Sequence, residues 1–184
     1  MIVWWLAYQS RPPPEEQRTV RTLPSVTEDM AKGREYLEGA VASEPRHARA
    51  WVQLAEYDIH RSMGAGPPDR ERPQALEAAQ RAVATDSSLG AAHAALAFVR
   101  AFYQHGWTAA LAQVEGAAHL PPTALYFLWA GGVYWSNERF AEAVRGLQQA
   151  LQLDPLSVIA HHVLALFYNT SGRYDLALAH AQQG

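Results

Sequence analysis

The chain repeats a pattern of large and small side chains along its length, and this periodicity limits the folds that it can adopt. Four dipeptides with a small second residue mark the repeat: Leu54-Ala55, Leu96-Ala97, Ala130-Gly131 and Leu164-Ala165. A large side chain stands three residues before each of them, at Trp51, His93, Phe127 and His161. The last three dipeptides are evenly spaced at a period of about 34 residues, which is typical of stacked helical hairpins that bury their apolar faces against one another. We therefore expect an all-α fold of stacked antiparallel helices.

A second set of small residues recurs in the later half of each unit. One position is occupied by Ala75, Ala110, Ala143 and Ala177, and the position seven residues further on by Ala82, Ala117 and Ala150. Two helices approach to roughly 8–10 Å where one of them presents a small side chain to the other. We expect these alanines, and Gly131, to be buried where the two helices of a hairpin touch.

The first interval, from Leu54 to Leu96, is longer than the two later ones because of an insertion in 62–73. This segment is rich in turn formers and charge, which predicts a lengthened loop that ends with Pro73 in the first turn of the next helix. Over 25–184 the pattern predicts nine helices and no strand. Hairpin turns are expected near 63–72, 104–107, 136–139 and 170–173.

The repeated unit resembles the tetratricopeptide repeat (TPR). The resemblance is carried by the four repeated dipeptides, by Tyr134 and Tyr168 three residues after Gly131 and Ala165, and by the helix end Leu151-Gln-Leu-Asp-Pro155. It covers roughly 30–184 and implies a right-handed solenoid whose first helices line a concave groove. The chain departs from the pattern at two turns, where Ser87 replaces a proline and Glu138 replaces a glycine.

A narrower resemblance is carried by Ala92–Trp107 and Asp154–Ser157. These segments are similar to the repeat regions of bacterial membrane-tethered winged-helix regulators and adenylate-cyclase-like regulators. The resemblance implies a bacterial sensory or regulatory segment of a larger regulator of transcription or signalling. The DNA-binding domain of such a regulator would lie outside these residues.

We divide the chain into an N-terminal arm with a proline-rich spacer, residues 1–24, and a helical repeat domain, residues 25–184. The repeat domain is expected to contain a partial unit, three full units and an incomplete unit: residues 25–46, 47–88, 89–122, 123–156 and 157–184.

The arm begins with the apolar run Met1–Tyr8, which three prolines soon follow. Eight helical residues rise about 12 Å, whereas crossing a bilayer core takes roughly 20 residues. One interpretation is a short apolar arm that packs on a helix or frays. The other is the end of a transmembrane helix that begins upstream, with Trp4 and Trp5 near the interface. A membrane tether through or upstream of the N-terminus therefore stays open.

The composition of the chain excludes several kinds of binding and catalytic site. The chain has no cysteine, which excludes disulfides and thiolate metal sites and suits the cytoplasm and the periplasm equally. Its net charge is −3 and Lys32 is its single lysine, so we expect this segment to bind no nucleic acid. His161 and His162 point about 100° apart on a helix and cannot share one metal ion. No catalytic motif emerges, and we expect neither an enzyme nor a cofactor.

The repeat register projects a set of inward-facing residues: Arg49, Val52, Glu56, His60, Ala91, Ala94, Phe98, Phe102, Leu125, Leu128, Gly132, Trp135, Ile159, His162, Leu166 and Asn169. From this set the candidate partner-binding residues are Phe98, Phe102, Leu125, Leu128, Trp135, His162, Leu166 and Asn169. We expect the anchors, Phe98, Phe102, Leu128 and Trp135, to be partly exposed on one concave face. The other interpretation is that this stripe is core, buried by tight curvature or by self-association.

The function predicted on this basis is a protein–protein interaction scaffold that binds a partner helix or peptide in a largely apolar groove. The alternative is the regulatory segment that the narrower resemblance implies. The identity of the partner and the oligomeric state stay open.

Overall fold

The computed structural model of the chain describes residues 24–63 and 67–183. Within these ranges the chain forms nine α-helices and no strand. In chain order they are α1 (Pro24–Ser43), α2 (Ala48–Met63), α3 (Pro68–Thr85), α4 (Gly90–Gln104), α5 (Trp107–Gly116), α6 (Ala124–Ser136), α7 (Phe140–Leu153), α8 (Val158–Thr170) and α9 (Tyr174–Ala181). The predictions for the N-terminal arm, for most of its spacer and for 64–66 of the loop lie outside the described residues.

Consecutive helices pair into hairpins, and the hairpins stack. α2 packs on α3, α4 on α5, α6 on α7 and α8 on α9, while α4 also lies along α6. The all-α prediction is confirmed. The turns at 105–106, 137–139 and 171–173 fall where the periodicity places them.

The small residues of the repeat lie at the contacts between helices. All seven alanines of the two repeated positions are buried. A Cβ added at Gly131 would lie 3.1 Å from Leu147 Cγ and 3.3 Å from the carbonyl oxygen of Ala143, so α6 and α7 touch here without room for a side chain. The prediction of close contact at these positions is confirmed, because only small residues allow this approach.

The lengthened loop is shorter than the sequence predicts. α3 begins at Pro68 after Pro67, well before Pro73. Prolines at the start of a helix cost no hydrogen bond, since the first N–H groups have no partner within the helix. Pro73 instead lies inside α3, where it removes one i→i−4 bond. The prediction that Pro73 occupies the first turn is wrong, because the preceding proline pair starts the helix earlier.

The turn that carries Glu138 in place of glycine keeps the geometry of its repeat. Glu138 has φ of 61°, and Gly172, at the equivalent position of the next unit, has φ of 76°. In both turns the N–H of the next residue, an arginine, donates to the carbonyl five residues earlier, at 2.9 Å. For a non-glycine residue this left-handed conformation costs about 1 kcal/mol. Glu138 therefore occupies a position that favours glycine.

The turn in which Ser87 replaces a proline is closed by an aspartate. Asp86 Oδ1 accepts hydrogen bonds from the N–H of Ser88 at 2.9 Å and from its hydroxyl at 2.6 Å. In the later unit, Asp154 Oδ1 accepts from the N–H of Leu156 at 3.3 Å. The aspartate stabilises both turns, so the proline is not required.

Buried ion pairs join the first three helices. Arg34 on α1 contacts Asp58 on α2, whose side chain is 1% exposed. Burial raises the pKa of Asp58, and the guanidinium beside it opposes that rise. Arg61 Nε donates to Glu71 Oε1 at 3.0 Å and so connects α2 with α3. Charges this deeply buried depend on their partners, because water cannot replace them.

Candidate functional site

A cleft of about 300 Å³ opens on the side of the stack where the first helices of the hairpins meet. Four of its eight lining residues belong to the inward-facing set that the repeat register projects. The lining comprises Glu56 from α2, Ala124, Leu125 and Leu128 from α6, and Asp154, Ser157, Val158 and Ile159 from the turn into α8 and its start. We refer to these eight residues as the cleft.

The cleft lies between the N-terminal ends of α6 and α8. The two helices lack the continuous contact that joins α4 to α6. They meet near their C-terminal ends, where the rings of Trp135 and Phe167 stack with centroids 3.8 Å apart. Their N-terminal ends are separate, and the gap between them forms the cleft.

Each of these helix starts is held by a capping hydroxyl. Thr123 Oγ1 accepts a hydrogen bond from the N–H of Tyr126 at 3.1 Å, and Ser157 Oγ accepts from the N–H of Ala160 at 3.4 Å. Such caps satisfy one of the free N–H groups of a helix start and fix where the helix begins. The walls of the cleft are therefore set by local sequence signals.

Glu56 reaches the cleft because the helix between α2 and α6 presents small residues. Ala91 at the start of α4 is buried, and it belongs to a small apolar cluster with Val52 of α2, against which Leu125 of α6 packs. The small side chain leaves room for α2 and α6 to approach each other across α4. Side chains of α2, α4 and α6 therefore share one apolar cluster beside the cleft.

The carboxylate of Glu56 has no basic group beside it among the described residues. Burial raises its pKa to about 7. Among the described residues none forms a hydrogen bond or an ion pair with this carboxylate; His60 bonds only the backbone carbonyl of Glu56. A carboxylate that is desolvated without a partner binds a proton more readily, which accounts for the direction of the shift.

The structure separates the candidate residues into groups. Leu125 and Leu128 line the cleft. Phe102, Trp135 and Leu166 are half-buried, whereas His162 and Asn169 are exposed on α8. The structure does not bring all eight candidates to one surface.

The expectation that the anchors are partly exposed is wrong for Phe98 and Leu128, because each side chain is only 5% exposed. The ring of Phe98 stacks on Phe102 at 4.3 Å and lies 4.9 Å from Trp129, between centroids. A Cβ at Gly132 would lie 2.7 Å from Phe98 Cε2, so the ring occupies the space that this glycine leaves. Packing between α4 and α6 thus buries part of the stripe, and this part belongs to the core.

Four cleft residues were absent from the projected set: Ala124, Asp154, Ser157 and Val158. They belong to a helix start or to the turn between α7 and α8, whereas the projection considers positions inside the first helices. Glu56 and Ile159 were projected inward but not chosen as candidates. The signal that could have identified Glu56 is the charge itself, since a carboxylate is unusual in a groove with apolar walls.

The histidine pair behaves as the helix geometry predicts. His161 is buried, and its Nδ1 lies 3.0 Å from His180 Nδ1, while its Nε2 donates to the carbonyl oxygen of Pro155 at 3.2 Å. His162 is exposed on another face of α8. No group of three or more His, Asp or Glu side chains in the described parts of the chain is arranged to bind a metal ion.

No helix within the described ranges combines the length and the hydropathy that crossing a bilayer requires.

Comparison with known proteins gives structural matches only. No family model matches the chain, and no curated protein matches its sequence. The crystal structure of MamA is 17% identical over 94% of this chain and 92% of that chain, with a TM-score of 0.50. PilW, a widely conserved type IV pilus biogenesis factor, is 17% identical over 86% of this chain and 70% of its own, with a TM-score of 0.55.

A third match covers a smaller part of a longer protein. The human IFIT1 dimer with m7Gppp-AAAA is 18% identical over 84% of this chain but 37% of the IFIT1 chain, with a TM-score of 0.65. Likeness at this level of identity concerns the backbone. The protein therefore has a TPR-like helical-repeat fold, a solenoid of stacked helical hairpins.

Proposed function

We propose that this protein is a non-catalytic interaction module that binds a segment of a protein partner, as a helix or an extended peptide, in the cleft. The observation that carries the proposal is the gap between the N-terminal ends of α6 and α8. Repeat solenoids bind partners on their concave surfaces, and a concave site with apolar walls and a few polar groups suits a side chain or a short peptide.

The apolar surface of the cleft continues onto its rim. Val158 is 56% exposed, and Leu153 and Leu156 of the preceding helix end and turn are exposed as well. Exposed apolar side chains that adjoin a cleft extend the contact area for a partner. Leu125 and Leu128 line the cleft itself, and we expect them to contribute more to binding than the exposed candidates His162 and Asn169.

Site-specific cross-linking tests this proposal. A photoreactive phenylalanine analogue replaces Val158 at the cleft in one variant and Tyr174 on α9 in the other; both native side chains are exposed and apolar. The two variants are expressed in the source cell, irradiated and analysed by mass spectrometry. We expect adducts with a defined segment of another protein from position 158 but not from position 174. Adducts from both positions alike, or none from position 158, would contradict the proposal.

The regulator of transcription or signalling remains an alternative. It rests on the resemblance of Ala92–Trp107 and Asp154–Ser157 to membrane-tethered regulators. A winged-helix domain and a membrane span in the same reading frame would support it. In that case the cleft would bind a segment of the signalling partner.

Nucleic acid is a poor occupant for this cleft. Its ionisable lining residues, Glu56 and Asp154, are both acidic. A polyanion requires clustered basic side chains, so the m7Gppp-AAAA ligand of IFIT1 does not transfer to this site.

A further inference from the structure

We propose that the cleft binds the cationic group of an arginine or lysine side chain, carried by an otherwise apolar segment of the partner protein. The inference rests on the proposed function, because it specifies the chemistry of the segment that the cleft binds. It is argued from the charges of the lining, from the environment of Glu56 and from the apolar walls.

The charges of the cleft are of one sign. Among its eight lining residues Glu56 and Asp154 are ionisable, and both are carboxylates. The N-termini of α6 and α8 carry partial positive charges of at most about half a unit each. Thr123 and Ser157 cap these ends. The carboxylate of Asp154, together with that of Glu56 in its ionised form, exceeds these contributions, so complementarity favours a cation.

Glu56 is half-buried, and its carboxylate has no partner among the described residues. Other acidic side chains around α2 have basic neighbours, whereas none of the described residues pairs with Glu56. The existing pairs are Arg34 with Asp58, Arg61 with Glu71 and Arg81 with Glu77. A cation brought by the partner would restore the ionised form of Glu56 and release the bound proton.

The walls of the cleft accommodate the remainder of such a side chain. Leu125, Leu128 and Ile159 are apolar and line the cleft together with Glu56, and Val158 adds an exposed apolar side chain. Arginine and lysine place a methylene stem on an apolar surface while the charged end reaches a polar group. A segment with one basic residue between apolar residues therefore matches both features of the cleft.

Selection from a phage-displayed library of random dodecapeptides on the full-length protein tests the inference. The best peptide is then synthesised in two forms, with its basic residue as arginine and as citrulline, which keeps the shape but removes the charge. Both peptides are titrated against three proteins: the wild type, Glu56→Gln and Ala124→Trp, which fills the cleft. Circular dichroism verifies that each variant is folded.

We expect the selected peptides to carry an arginine or lysine flanked by apolar residues. The citrulline form should bind the wild type about tenfold or more weakly, and Glu56→Gln should bind the arginine form with a similar loss. Because the pKa of Glu56 is about 7, the arginine peptide should bind about tenfold more tightly at pH 8 than at pH 6. In Glu56→Gln most of this pH dependence should disappear, because burial lowers the pKa of His60, one turn further along α2, and so opposes its protonation.

The outcomes separate the two proposals. Peptides that lose binding to Ala124→Trp but bind the citrulline form and Glu56→Gln undiminished would overturn the inference and leave the proposed function intact. Peptides that bind Ala124→Trp as well as the wild type, or a selection that enriches none, would overturn both. Sedimentation velocity tests whether a second copy of the chain occupies the cleft. If the wild type is a dimer and Ala124→Trp is a monomer, the cleft binds a second copy and the inference is refuted.

Discussion

Replacing Gly132 by alanine should destabilise the protein through one contact, that between α6 and the ring of Phe98. The added Cβ would lie 2.7 Å from Phe98 Cε2 and 2.9 Å from Cδ2. Optimal carbon–carbon separations are about 3.5–4.0 Å, so the ring has to move by roughly 1 Å. Phe102 and Trp129 lie against the same ring and limit its movement. Overpacking of this kind costs about 1–3 kcal/mol.

The helix propensity of alanine opposes this cost and has to be separated from it. Alanine is favoured over glycine inside a helix by up to about 1 kcal/mol, so the net loss for Gly132→Ala is about 0–2 kcal/mol. Gly39 in α1 provides the matched control, because a Cβ there meets no atom within 4 Å. Gly39→Ala should gain the propensity without the clash. The two variants should therefore differ in unfolding free energy by about 1–3 kcal/mol.

Thermal unfolding followed by circular dichroism measures this difference. For a chain of this size each kcal/mol shifts Tm by about 2–4 °C, so the melting temperatures should differ by roughly 2–12 °C. The double variant Gly132→Ala with Phe98→Leu should recover part of the loss, because the shorter side chain relieves the contact. Equal melting temperatures for Gly132→Ala and Gly39→Ala would show that Phe98 does not pack against Gly132.

Three further substitutions test other parts of the fold. Glu138→Gly should stabilise the protein by up to about 1 kcal/mol, because glycine adopts the left-handed turn without strain; a lower midpoint in urea would argue against that conformation. Arg34→Met should cost about 3–5 kcal/mol of unfolding free energy, because it leaves Asp58 buried and unpaired. Arg81→Met removes an exposed ion pair and should cost less than about 1 kcal/mol. Similar losses for the two variants would show that Asp58 is hydrated. Ala143→Leu should cost about 1–3 kcal/mol, and an unchanged melting temperature would refute the repeat register.

The helical hairpins could be predicted from the sequence because residues at short, fixed spacings mark the contacts between their helices. The alanines of the repeated positions mark where helices touch, and the regular spacing of the large and small residues marks where hairpins recur. Small residues at fixed intervals are needed wherever two helices approach closely. This requirement does not depend on how successive hairpins are oriented in the stack. The same reasoning failed for α3, where the choice between two possible proline starts depends on the loop and on the packing that follows it.

The cleft and the burial of Phe98 were decided by tertiary structure. Projection onto a helix states which side a residue faces, but not how close the next helix comes. The close packing of α4 and α6 at Gly132 buries Phe98, while α6 and α8 separate at their N-terminal ends and leave the cleft open. Glu56 joins residues from two later repeat units in lining this cleft. That juxtaposition is the sum of small rotations between successive hairpins, which no single repeat encodes.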